Sequence, residues 1–126
     1  MPEDVIDLTI DKVSLKGHRL QQNRDFRTVF LHGTSVANRY YVLYILKRRK
    51  AEATKVGFSV SKKVGNAVVR NRTKRLLRES LRLHVHHFNC GYFLVVIARK
   101  DAPCLKTLTD VDKQIVILLK RAKLCT

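Results

Sequence analysis

Cysteines, acids and long apolar runs are all scarce in this 126-residue chain, and each scarcity removes a class of function. The cysteines Cys90, Cys104 and Cys125 are odd in number and form no Cys-x-x-Cys pair, so neither a disulfide framework nor a zinc site is indicated. Cys90 reads as a small buried residue at a strand start, and Cys125 as free and exposed. No apolar stretch approaches the roughly 18–20 residues that cross a bilayer. The opening MPEDVIDLTIDK is acidic where a signal or transit peptide is basic, which points to the cytoplasm. Glycine-rich phosphate loops of the P-loop or dinucleotide type are absent. Beyond the opening, Asp25, Glu52, Glu79, Asp101, Asp110 and Asp112 form no motif of paired carboxylates for two-metal phosphoryl chemistry. His84, His86 and His87 cluster without a carboxylate near them in sequence, and read as a wet helix end. No catalytic residue and no metal ligand is assigned. The chain reads as a binder.

Positive charge is what the sequence has in excess. The net charge is +16, from 26 Lys and Arg against 10 Asp and Glu. Four of the acids, Glu3, Asp4, Asp7 and Asp11, stand in the first twelve residues beside a single Lys12; the remainder carries 25 basic and 6 acidic residues. A small domain that repels itself this strongly is shaped by a polyanionic partner, with nucleic acid ahead of an anionic membrane surface. By length it is one domain. Residues 1–14 read as a flexible acidic segment and 15–126 as a single domain for such a partner.

Periodicity and turn chemistry place the elements. The segment LQQNRDFRTVFL, residues 20–31, is a short amphipathic helix with Asn23 as its cap and Gly33 as its stop. GTSVAN is a turn or short extended piece. RYYVLYIL, residues 39–46, is a strand, and KVGFSVS, residues 55–61, is a second one, expected to pair with it as a hairpin. A helix is expected from Ala67 to His87. GYFLVVIARK, residues 91–100, is apolar almost throughout and reads as a central strand covered on both faces. After a bend at Pro103 a last helix begins, with Thr109 as its cap, Asp112 in place for a reciprocal box, and Ile115, Leu118 and Leu119 on its apolar side. Helices packed on a sheet make a small α/β or α+β sandwich. For the strand–helix–strand unit over 55–99, the general rule gives a right-handed crossover if the strands are parallel.

Five of the nine positions from Arg70 to Arg78 are Arg or Lys. Arg70, Lys74, Arg78 and Arg82 recur every four residues and are expected along one exposed face, with Arg75 beside them and Arg72 further round. Leu76, Leu77, Ser80 and Leu81 are expected opposite, against the sheet. Like charges four apart repel by roughly 0.2–0.5 kcal/mol per exposed pair, so the row favours a partner that cancels it. Arginine forks suit phosphate, and the KKVGN turn adds Lys62, Lys63 and helix N-terminal amides. A purely solvated face is the bland alternative.

A second surface is aromatic. Tyr40, Val42 and Tyr44 are expected on one side of their strand, and Phe26 and Phe30 are one helical turn apart. Together they form either a groove with a basic rim from Arg24, Arg27 and Arg39, suited to stacked single-stranded bases, or ordinary core. An RNA chaperone or ribosomal protein fits the charge equally well. A membrane-surface binder fits less well, because the basic helix lacks an exposed Trp/Phe face.

Residues 57–78, GFSVSKKVGNAVVRNRTKRLLR, closely resemble the signature region of the bacterial ribonuclease P protein subunit, whose hallmark is the Arg-Asn-Arg helix, here Arg70-Asn71-Arg72. The segments 19–44 and 92–102 also look like that family, so the likeness runs in one order over residues 17–120. It implies a small two-layer α–β sandwich of order α-β-β-β-α-β-α, with a central mixed sheet and an unusual left-handed β-α-β crossover, like the second domain of a small-subunit ribosomal protein. It implies a protein that joins a catalytic RNA to form the ribonucleoprotein endonuclease that removes the 5′ leader of precursor tRNA. The active site and its Mg²⁺ ions then belong mainly to the RNA, with no obligate protein partner and no membrane. Lys62, Lys63, Asn66, Arg70, Asn71, Arg72, Lys74, Arg75 and Arg78 fall where catalytic-RNA contact is expected. Phe26, Phe30 and Tyr44 fall on the family's leader-binding cleft, with Arg19 near its rim. Thr73 departs from the isoleucine-like residue usual there, and the acidic start departs from the usual basic one.

Overall fold

The computed structural model describes residues 23–48, 54–84 and 91–123. The acidic opening, Arg19, Cys90, Cys125 and the end of the expected long helix lie outside them. Helix α1 (Asn23–His32) leads to strands β1 (Thr34–Ala37), β2 (Tyr41–Lys47) and β3 (Lys55–Ser59). Helix α2 (Ala67–Arg82), strand β4 (Tyr92–Ala98), a 3-10 turn (Ala102–Cys104) and helix α3 (Leu108–Arg121) complete the order. This is the expected α-β-β-β-α-β-α succession around a mixed four-stranded sheet, and the fold is α+β.

The sheet runs β1-β2-β4-β3. β4 lies at its centre, antiparallel to β2 (Tyr41 opposite Ala98) and parallel to β3 (Ser59 opposite Ile97). The expected hairpin between residues 39–46 and 55–61 is therefore absent. β2 makes its hairpin with β1 instead, and the strand apolar on both faces separates β2 from β3. A parallel neighbour needs a long connection, and α2 supplies it.

The β1–β2 turn is fixed by one side chain. Asn38 Oδ1 accepts hydrogen bonds from the amides of Tyr40 and Tyr41, both at 2.9 Å, while its Nδ2 donates to Gln114 Oε1 on α3. Residues 39 and 40 thus belong to the turn, and β2 starts two positions later than expected. The Tyr40 ring packs against the larger core rather than sharing a side with Val42 and Tyr44.

Strand alternation then builds two cores. Tyr41, Leu43 and Ile45 of β2 join Leu94 and Val96 of β4 under Leu77 and Leu81 of α2 and Ile115 and Leu118 of α3. On the other face Phe93 and Val95 meet Phe26 and Val29 of α1, with Phe30 and Tyr44 at the margin. Each fully buried leucine or phenylalanine contributes about 1.5–3 kcal/mol. Gly33 allows α1 to turn directly into β1: a Cβ there would stand 2.5 Å from the Ile45 carbonyl oxygen and 2.6 Å from that of Val29.

Helix α3 starts one turn-fraction earlier than its sequence suggests. Thr107, not Thr109, is the cap, its hydroxyl accepting from the amide of Asp110. Asp112 faces α2, where its Oδ1 accepts from the Ser80 hydroxyl at 2.9 Å and lies 2.7 Å from His84 Nε2. Ser80 is fully buried. Replacing Asp112 by Ala strands that hydroxyl, and a buried unmet donor costs about 1–3 kcal/mol. The Asp112→Ala protein should show a lower urea midpoint with an unchanged slope.

Candidate nucleic-acid interface

The loop after β3 is short and tightly specified. Val64 is buried and its amide donates to the Ser61 carbonyl, which leaves Lys62 and Lys63 projecting outward. Asn66 caps α2: its Oδ1 accepts from the Val69 amide at 3.0 Å. A Cβ on Gly65 would come within 2.8 Å of Val69 Cγ1, so the loop closes on the first turn only with glycine there. Asn66 thus positions the helix start beside the two lysines.

Along α2 the basic residues do not form the single exposed row expected. A step of four residues turns an α-helix by about 40° more than one revolution, so a fourfold row winds around the axis. Arg70 and Arg78 are half-buried, Lys74 is only 8% exposed, and Arg82 alone of the four stands clear. The open face is instead Val68, Asn71, Arg75 and Arg82, with Arg72 beside it. Arg82 is held by Glu79, the only acid of the helix, at 2.7 Å. Among the described residues Arg70 Nε is buried without a hydrogen-bond acceptor, a costly state. Val68, Asn71, Arg72, Lys74, Arg75 and Arg78 together line an open depression of about 530 Å³.

Thr73 is accommodated without loss. It is buried, and its hydroxyl donates to the Val69 carbonyl of its own helix at 2.9 Å.

The aromatic residues sit across the sheet from α2. Phe30 and Tyr44 meet edge to face, ring centres 4.9 Å apart and planes at 86°, and both remain partly open. Phe26 is 0% exposed, so it forms the floor of this surface rather than a face on which a base stacks. Arg24 and Arg27 are exposed on α1, whereas Arg39 is drawn to Asp101 at 3.0 Å and lies 5.8 Å from the Tyr40 ring centre. Arg48 was not singled out from sequence, yet its guanidinium lies 4.6 Å from the ring centre of Phe93, in the same cluster as Phe26. The signal was the β2–β4 register, which sets Leu46 opposite Phe93. His84 is engaged with Asp112 rather than with another histidine among the described residues.

A family model described as ribonuclease P matches residues 15–123. The chain belongs to the ribonuclease P protein family. It is 50% identical over 108 residues to the ribonuclease P protein component of an Exiguobacterium species, covering 86% of this chain and 92% of that one. The solved ribonuclease P protein of Staphylococcus aureus superposes with a TM-score of 0.78 at 37% identity, over 88% of this chain and 100% of that one. That of Thermotoga maritima gives 0.71 at 33% identity, over 82% and 96%. The family membership agrees with the resemblance carried by residues 57–78.

The burial of Lys74 has a measurable cost. Desolvation lowers its pKa below the usual lysine value of 10.5. The unfolded chain therefore holds the proton more tightly, and stability rises with pH through the interval between the folded and unfolded values. At pH 7 the full penalty is present. Lys74→Met should raise the denaturation midpoint at pH 7, and the gap from the unaltered protein should narrow as pH climbs toward 10.5. A gap independent of pH would assign the gain to packing alone.

Proposed function

We propose that this protein is the protein subunit of ribonuclease P, binding the catalytic RNA through α2 and the Lys62–Asn66 loop and the single-stranded leader of precursor tRNA through the Phe30–Tyr44 surface. The observation that carries the reading is the separation of two unlike surfaces, one basic and one aromatic, on opposite faces of one sheet in a chain of this family.

Each surface suits its target chemically. Guanidinium groups on the open side of α2 match phosphate oxygens in pairs and displace counterions from a folded RNA backbone. Each phosphate so neutralised is one that Mg²⁺ need not screen. The ions that act in cleavage are held by the RNA, and the protein lowers the Mg²⁺ demand of the assembly. Phe30 and Tyr44 offer ring surface to leader bases without reading their edges, since every base has a π-face. Mature tRNA lacks the leader, so this contact favours substrate over product. Hydrolysis leaves a 5′-phosphate on the tRNA, and no side chain of the protein takes part in the chemical step.

Precursor tRNA processing by a bacterial ribonuclease P RNA at low Mg²⁺, with and without the protein, tests the whole reading. Strong stimulation with no cleavage by protein alone is the expected result. Tight RNA binding without stimulation would move the chaperone reading to the front. The surfaces separate by substitution. Tyr44→Ala and Phe30→Ala should weaken the holoenzyme's preference for precursor over mature tRNA by roughly five- to a hundredfold, the scale of one lost stack, while leaving assembly with the catalytic RNA intact. Arg72→Ala should do the reverse. Equal losses in both assays for both kinds of variant would refute the division of labour. Phe26→Ala is not a clean probe, because emptying so buried a site costs about 3–5 kcal/mol of stability.

A further inference from the structure

Val68 lies in the middle of the basic surface and is 75% exposed, more than any other large apolar side chain among the described residues. A lone exposed valine needs no explanation by itself. Its position gives it one. Val68 shares the open face of α2 with Asn71, Arg72 and Arg75, three, four and seven residues on, and all four line the depression of about 530 Å³. All of its lining residues belong to α2.

This set of groups is wrong for phosphate alone. A phosphate takes donors and positive charge, and a branched aliphatic group beside it contributes nothing. The faces of a base do take aliphatic and guanidinium surface, and its edge takes an amide that both donates and accepts. Inside a duplex those faces are stacked on neighbours, and in A-form RNA the base edges of the deep groove are out of reach. Only an unstacked nucleotide presents both. The acid that might compete for the arginines, Glu79, is already bound to Arg82.

We propose that the depression takes one unstacked base of the catalytic RNA. Val68 and the guanidinium planes of Arg72 and Arg75 pack on its faces, and the Asn71 amide pairs with its edge. The inference rests on the reading of α2 as the catalytic-RNA face, and adds that this face recognises a bulged or looped nucleotide as well as backbone charge.

Salt dependence separates the two kinds of contact. Binding of the full chain to a ribonuclease P RNA, and to a plain RNA duplex of equal length, is measured across a salt series for the unaltered protein, Val68→Ala, Val68→Ile and Arg75→Ala. Alanine is the better helix former and the site is open, so Val68→Ala keeps the fold. It should lower affinity for the catalytic RNA roughly five- to thirtyfold with the slope of log affinity against log salt unchanged, and leave duplex binding untouched. Val68→Ile should retain affinity. Arg75→Ala should weaken binding to both RNAs and flatten the slope by about one. Unchanged affinity of Val68→Ala for the catalytic RNA overturns the proposal, as does an equal loss on the duplex, which would assign the valine to the sugar backbone. If the unaltered protein fails to prefer the catalytic RNA over the duplex, the functional reading itself falls, and the inference with it.

Discussion

Both surfaces of this protein hang on one strand. β4 is paired on both edges, and Leu94, Val95 and Val96 in its middle are wholly removed from water. Because side chains alternate, Leu94 and Val96 feed the core beneath α2 and α3 while Phe93 and Val95 feed the core beneath α1. A strand one register out of place would exchange the two sets. The orientation of the basic helix and of the aromatic pair is therefore set by the same ladder of hydrogen bonds. Neither surface can tilt far without disturbing the other.

Around that strand, polar contacts do the locating rather than the bulk of the stabilising. Asn38 closes the β1–β2 turn and reaches α3; Arg121 donates to the Ala37 carbonyl at 2.7 Å; Asp112 joins α3 to Ser80 and His84 at the end of α2. Each net hydrogen bond is worth only about 0.5–1.5 kcal/mol. Their value lies in direction: they fix how the two helices cross the sheet, and so where the open face of α2 points.

Much of this was legible in the sequence. Periodicity gave the helices and every strand but β1, whose residues read only as a turn or short extended piece, and the doubly apolar run 92–98 announced a central strand. The resemblance over residues 57–78 supplied the family. What escaped was non-local or a matter of phase. Nothing near residues 55–59 says that their partner lies more than thirty positions away, across a helix. Thr107 and Thr109 offer the same hydroxyl two residues apart, and the sequence near them does not distinguish the two starts; α3 uses Thr107. Spacing alone made Arg70, Lys74 and Arg78 look exposed. The anchor of the wheel is Leu77, and counting from it turns Val68 outward and Lys74 toward the protein.

The winding of the basic residues from the flank of α2 to its open side means that salt acts on the molecule in two opposed ways. Dissolved ions screen the repulsion among Arg70, Lys74, Arg78 and their neighbours and so favour the folded chain when it is alone. The same ions weaken the drive for a polyanion to trade its counterions for those side chains. Conditions that best preserve the free protein are thus those in which it grips RNA least. Polyanion binding substitutes for salt: it supplies the missing negative charge only to chains already folded, and it draws the population toward them by mass action.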